Sequence, residues 1–276
     1  MNYKKIVSFM LMFSLCVPMT TLNVTYNNTS MISTYAENLT TSDGLFEYSV
    51  DLIYNHVVIS RYVGSDTSVV IPTEIDGYPV VSIGNDAFKD SLIESVTIPE
   101  GICSLGNWTF SSCSNLTSIS LPKSVIQIND YTFYDCNHLE SITLSDNIKY
   151  IGLNAFKDCT SLKSIELPSK ISSINEYTFD GCKSLESVTI PSNVTSVKSR
   201  AFSNCTKLGD VFVKSRDTVI DDGAFYKSPN VNIIYDYSQN QPTDNNFKNG
   251  IYGDINGDGV ANIIDLVLMK KIILEL

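Results

Sequence analysis

The chain has 276 residues, enough for one large domain or two smaller ones. Its net charge of −11 and the absence of any basic arm argue against nucleic-acid binding, because an acidic surface repels phosphate backbones. The same balance is compatible with a secreted protein and with bound calcium.

Residues 1–36 read as an export signal. Lys4 and Lys5 give a basic start, and Ile6 to Met19 is apolar but too short to span a bilayer comfortably. Thr34-Tyr35-Ala36 offers a small-residue cleavage site, and the polar stretch from Asn27 to Ser33 is the alternative. Cys16 follows a bulky Leu15, which makes a poor lipoprotein box, so no lipid anchor is expected. No later segment reaches about eighteen uninterrupted apolar residues, and no membrane span is expected.

Residues 37–70 form the next unit. The first nine are polar and are expected to be irregular. From Phe46 to Val63 apolar and polar residues largely alternate, with a break at Asn55-His56, which reads as a β-hairpin. Its natural place is over the end of a repeat array, where terminal units must shield the core.

From residue 71 to residue 235 the chain repeats itself. Phe stands at 110, 133, 156, 179, 202 and 225, always 23 apart. Cys keeps the same period at 113, 136, 159, 182 and 205. Phe88 marks an earlier repeat that carries the turn Asp76-Gly77-Tyr78-Pro79, which makes about seven repeats. Self-similarity at this spacing predicts a stacked solenoid. Within one repeat, Ile119 and Leu121 point inward from a short strand that Pro122 ends. Val125 and Ile128 point inward from the opposite wall. Asn129 or Asp130 is placed to cap a short helical turn that buries Phe133 and Cys136. The Phe column is core and takes no functional role. Neighbouring strands lie about 4.8 Å apart, but parallel stacked side chains suit a disulfide poorly. The Cys column is therefore read as buried thiols in preference to disulfides. Cys103 is off the register and is read as a lone thiol.

The run Ala155-Phe156 to Cys159, Leu162, Ile165 and Leu167-Pro168 resembles the BspA-type leucine-rich repeat. The stretch IPTEIDGYPVVSIGNDAF is similar to that family's usual first repeat. The resemblance runs from about Phe46 to Tyr235. It implies a leucine-rich-repeat stack of short parallel strands with short helical turns behind an N-terminal β-hairpin cap. It also implies a non-catalytic bacterial surface or secreted protein, often an adhesin or ligand binder.

Outward strand positions form columns. One runs Ser95, Ser118, Ser141, Ser164, Ser187, Asp210, and the next runs Thr97, Ser120, Thr143, Glu166, Thr189, Phe212. Beside them lie Glu94, Thr117, Glu140, Lys163 and Glu186. Two readings stay open for this face: a solvated β-surface or a polar binding surface for polysaccharide, a cell surface or a protein. Another register holds Trp108, Tyr131, Asn154, Tyr177 and Arg200, whose aromatics either stack on sugar rings or cover the flank.

Residues 236–252 break the period and read as a polar linker. Residues 253–276 then open with GDINGDGVANIID, which fits a calcium loop of the EF-hand type. Asp254, Asn256 and Asp258 supply side-chain oxygens at alternate positions. Gly259 allows the sharp turn and Val260 offers its carbonyl. Asn262 ligates directly or through water, and Asp265 closes the loop. Oxygen ligands in this number suit Ca²⁺. A helix from Leu266 to Leu274 is expected to follow, apolar on nearly all sides, and such a helix should be buried against something.

This stretch, GDINGDGVANIIDLVLMKKII, is similar to a dockerin repeat. The resemblance implies attachment to a cohesin module of a cellulosome-type scaffold in polysaccharide breakdown. Ile263, Ile264, Lys270 and Lys271 lie where dockerins contact cohesins. Dockerins normally carry two such segments, and one is present here. The helix therefore has three candidate partners: a cohesin, a second copy, or the solenoid end. The leading function is a secreted non-catalytic binder docked through this segment, and an independent surface adhesin is the alternative. A glycoside hydrolase is a third reading, but a glycosidase needs two carboxylates converging in a cleft. The acidic residues here are scattered over repeat positions. His56 and His138 lack a matching nucleophile register.

Overall fold

The computed structural model describes residues 35–235. The linker, the calcium-loop segment with all its expected ligand and contact residues, and most of the export signal lie outside that range. Among the described residues no helix is long and apolar enough to cross a membrane.

The cap is built first. Strand β1 (Tyr35–Thr40) pairs antiparallel with β2 (Phe46–Asp51), and β2 pairs antiparallel with β3 (His56–Tyr62). The hairpin is as expected, with Val50 opposite Val57. Strand β1 is not, since residues 37–45 were expected to be irregular. Phe46, Tyr48, Val50, Val57 and Ile59 are buried by this arrangement, which is what their alternation dictates.

The repeats stack behind the cap as two strand walls. One wall carries β4 (Ser68–Val70), β7 (Ser95–Thr97), β9 (Ser118–Ser120), β11 (Ser141–Thr143), β14 (Val188–Ile190), β16 (Asp210–Val213) and β18 (Asn232–Tyr235). The opposite wall carries β6 (Tyr78–Ile83), β8 (Ser104–Leu105), β10 (Gln127–Ile128), β12 (Tyr150–Ile151), β13 (Ser173–Ile174), β15 (Ser196–Val197) and β17 (Val219–Ile220). Strand β5 (Glu74–Ile75) folds back antiparallel on β6. Neighbouring coils pair in parallel and one full period apart: Ile119 faces Ile142, Ile128 faces Ile151, and Val188 faces Val211. Strand β3 enters the second wall parallel to β6, so the cap is continuous with the stack.

The core is the set of inward columns. Ile119, Leu121, Val125 and Ile128 are all buried, as their spacing predicts. The Phe column is a ring stack. Centroids lie 5.1 Å apart for Phe88 and Phe110, 5.3 Å for Phe133 and Phe156, and 5.5 Å for Phe202 and Phe225. Tyr62 extends the stack into the cap, 5.2 Å from Phe88 and tilted by 14°. Burying one such side chain stabilises the fold by about 1.5–3 kcal/mol. No coil could achieve this alone, because each ring is covered by its neighbours' rings.

The third side of each coil corrects an expectation. No helix is present among the described residues. A helix would turn its amides back four residues; here they reach sideways into the next coil. Tyr131, Phe133 and Asp135 donate to the carbonyls of Leu153, Ala155 and Lys157 at 2.8–2.9 Å. Asp130 is not a helix cap. Its Oδ1 accepts the Leu153 amide of the following coil at 2.8 Å, and the Asn129 carbonyl accepts the Thr132 hydroxyl at 2.8 Å.

Candidate functional site

The laterally bonded turns need two left-handed residues per coil. The first register holds Asp86, Trp108, Tyr131, Asn154, Tyr177, Arg200 and Gly223, all with φ between 54° and 78°. The second holds Asp90, Ser112, Asp135, Asp158, Gly181, Asn204 and Lys227. Gly, Asn and Asp adopt this conformation at little cost, whereas Trp, Tyr and Arg do not. The sequence register singled out for its aromatics is therefore also the conformationally costly one.

These side chains form a ridge along one edge of the solenoid. Trp108 and Tyr131 stack face to face with centroids 3.9 Å apart and planes within 4°. Tyr134 meets both edge-on, at 5.6 Å and 5.9 Å. Lys89 lies 5.3 Å from the Trp108 ring. Farther along, Lys157 lies 5.3 Å from Tyr177, and the Arg200 guanidinium sits 5.8 Å from Tyr177 and 4.7 Å from Tyr226. Trp108, Tyr131 and Tyr177 are half-buried, while Arg200 and Tyr226 are exposed. The stacked faces of Trp108 and Tyr131 cover each other, and this favours the flank-cover reading over sugar stacking. Of the cations beside the ridge, Lys89 and Arg200 are exposed and Lys157 is partly buried.

An ion pair anchors the ridge from beneath. Lys157 Nζ lies 2.9 Å from Asp180. Asp180 also accepts from the Ser203 hydroxyl and, at 2.7 Å, from Asn204 Nδ2. Burial pushes the Asp180 carboxyl up, but the bonds from Ser203, Lys157 and Asn204 outweigh it and hold it below its usual value. Burial opposes the Lys157 charge, yet Asp180 raises its pKa. Asp158, one coil away, is pushed up by burial.

The strand face is flat, polar and exposed. Its columns from Ser95 to Ser187 and from Thr97 to Thr189 point to solvent on either side of buried Val96, Ile119, Ile142, Ile165 and Val188. Lys163 and Glu140 pair across it at 2.6 Å, an exposed contact that solvent screens. The column that carries Thr97 starts at exposed Val70 and reaches half-buried Phe212.

A family model described as the BspA type leucine rich repeat region matches in 6 copies over residues 81–177 and 126–252. The chain belongs to the BspA-type leucine-rich repeat family. Among solved structures, it is similar to a leucine-rich repeat protein of T. pallidum, with 28% identity and a TM-score of 0.61 over 66% of this chain and 86% of that one. A leucine-rich repeat protein from Bacteroides ovatus matches with 22% identity and a TM-score of 0.45, over 76% of this chain and 71% of that one. No curated protein matches.

In this BspA-type stack the cysteines are structural. Cys113, Cys136, Cys159, Cys182 and Cys205 are buried and free, as the parallel stacking argues. Among the described residues no group of three or more His, Cys, Asp or Glu could hold a metal ion. His138 Nδ1 lies 2.6 Å from the Ser114 carbonyl, and His56 is buried in the cap. Sequence reasoning missed Tyr134 and Tyr226, which join the ridge from three residues beyond the left-handed position. Their spacing from Tyr131 and Gly223 was the available signal.

Proposed function

We propose that this chain is a secreted, non-catalytic binding protein that engages a protein partner along the ridge of Trp108, Tyr131, Tyr177 and Arg200. One observation carries the reading: bulky side chains occupy the left-handed register. Gly223 fills the same position in the last described coil, so the turn accepts glycine. Each bulky residue there costs about 1–2 kcal/mol of conformational strain. Trp, Tyr and Arg are also the residues that dominate binding energy at protein interfaces. Strain kept in the residue types that make interfaces points to a surface with a use. The chemistry of such a site is contact and recognition. Family resemblance supports an extracellular or cell-surface setting, where this alternative to scaffold docking operates as an independent interaction solenoid.

Trp108 is the only tryptophan in the chain, so its fluorescence reports on the ridge. Titration with purified extracellular-matrix proteins, with mucin and with soluble xylan tests the reading. A protein that shifts Trp108 emission saturably supports it. A response to xylan alone would replace it with the polysaccharide reading.

A second reading concerns attachment. Asp254, Asn256, Asp258, Val260, Asn262 and Asp265 stand at calcium-ligand spacing. A Ca²⁺-loaded segment 253–276 would then present Ile263, Ile264, Lys270 and Lys271 to a cohesin. Capture by a cohesin panel with Ca²⁺, lost with chelator and in Asp254→Ala/Asp258→Ala, is the expected result. Capture that ignores calcium would remove this reading.

A further inference from the structure

The two ends of the described stack are finished differently. At the first end, β1 to β3 cover the inward columns, and Tyr62 closes the ring stack. At the other end the inward columns stay uncovered among the described residues. Ile233 holds the register of Val211, which is fully buried, yet it is 37% exposed. Tyr235 holds the register of fully buried Val213 and is 47% exposed. Ile220, Phe225 and Val231 are partly exposed, whereas Phe202 is fully buried. Among the described residues Phe202 has a ring on each side, and Phe225 has one on one side only. A repeat array with its core open at one end needs a cover.

We infer that residues 263–274 of this same chain close that end, laying the apolar side of Leu266 to Leu274 over Ile220, Phe225, Val231, Ile233 and Tyr235. Two observations point to this occupant. The stretch Leu266 to Leu274 is apolar apart from Lys270 and Lys271, and so apolar a stretch should be buried against something. It is tethered to the open coil itself, since residues 236–252 join it to the end of β18. A stretch of that length, taken as coil, would span about 20–25 Å, enough to fold back over a single coil and to hold the segment at an effective concentration in the millimolar range. The inference is independent of the ridge and its partner, and it is an alternative to presenting the segment to a cohesin.

The test is amide hydrogen exchange on the full chain with Ca²⁺ present. The variant Leu268→Asp/Ile272→Asp removes the cover, and Ile233→Asp removes its seat. Amides of β17 and β18 are expected to exchange about tenfold faster in either variant, with β2 and β3 unchanged. In Ile233→Asp, amides of residues 263–274 are expected to speed up as well. Equal exchange in β17 and β18 for wild type and Leu268→Asp/Ile272→Asp would overturn the inference. So would protection that depends on protein concentration and accompanies dimer formation in sedimentation, because a second copy would then be the cover.

Discussion

The Cys159 thiol donates to the Phe133 carbonyl one coil earlier, at 3.1 Å. The same bond joins Cys136 to Phe110 and Cys182 to Phe156. In the last described coil Ser228 replaces the cysteine, and its hydroxyl donates to the Phe202 carbonyl at 2.7 Å. The column therefore needs a small side chain with a proton to give. Cys159→Ser is expected to cost less than Cys159→Ala in denaturant unfolding, because Ala gives up this hydrogen bond, a loss of about 0.5–1.5 kcal/mol, while the Phe133 carbonyl keeps the Cys136 amide at 3.2 Å. Equal destabilisation would show that volume alone decides the site.

Burial also sets the reactivity of this column. It pushes the Cys113 and Cys205 thiols up to about 12 and raises Cys136, Cys159 and Cys182 well above their ordinary value. Thiolate is the reactive form, so little of it exists at pH 8. Half-buried Cys103 is expected to label first with a thiol reagent in the native protein. The five column thiols should label only on unfolding, as peptide mapping would reveal.

His56 makes the cap sensitive to acid. It is buried in β3 opposite Asp51, stacks on Tyr54, and its Nδ1 has no hydrogen-bond partner. Burial lowers its pKa, with Asp51 opposing. A lowered folded value means that the unfolded chain binds the proton more readily. Stability is thus fully present above the unfolded value of about 6.5 and is lost as pH falls through the folded one. His56→Phe is expected to abolish this loss, measured as the pH dependence of cap exchange between pH 7 and pH 5.

Conformational cost and function separate at the left-handed register. Asn154→Gly is expected to raise stability by up to about 1 kcal/mol and to leave binding unchanged. Arg200→Gly relieves strain at the same register but removes the guanidinium over Tyr177 and Tyr226. Its stability should change little, while partner binding weakens. Thermal unfolding beside a binding isotherm distinguishes the two effects.

The repeated Phe and Cys fixed the columns from sequence alone, because a residue recurring at one period must meet its own copy in a stack. Ile119, Leu121, Val125 and Ile128 were legible for the same reason. The turns were not. Asp130 followed by Phe133 resembles a helix start, and only the lateral bond from Leu153 to Asp130 reveals a turn ladder. Strand β1 was hidden by its polar composition, since Leu39 alone hints at a buried side. The ridge was half visible: Trp108, Tyr131 and Tyr177 stood in register, but a positive φ leaves no trace in a run of aromatic residues. Tyr62 went unnoticed as the start of the ring stack because it lies outside the 23-residue period.

The central claim is that the ridge is the binding surface, and one comparison tests it most directly. Wild type, a Trp108→Ala/Tyr177→Ala/Arg200→Ala variant and a strand-face variant, Thr143→Lys/Ser187→Lys, would be measured against whichever protein of the panel binds wild type. The ridge variant is predicted to lose at least about 2 kcal/mol, a thirtyfold weakening or more. The strand-face variant is predicted to bind like wild type. A ridge variant that binds normally while the strand-face variant fails would contradict the account and move recognition to the Ser and Thr columns.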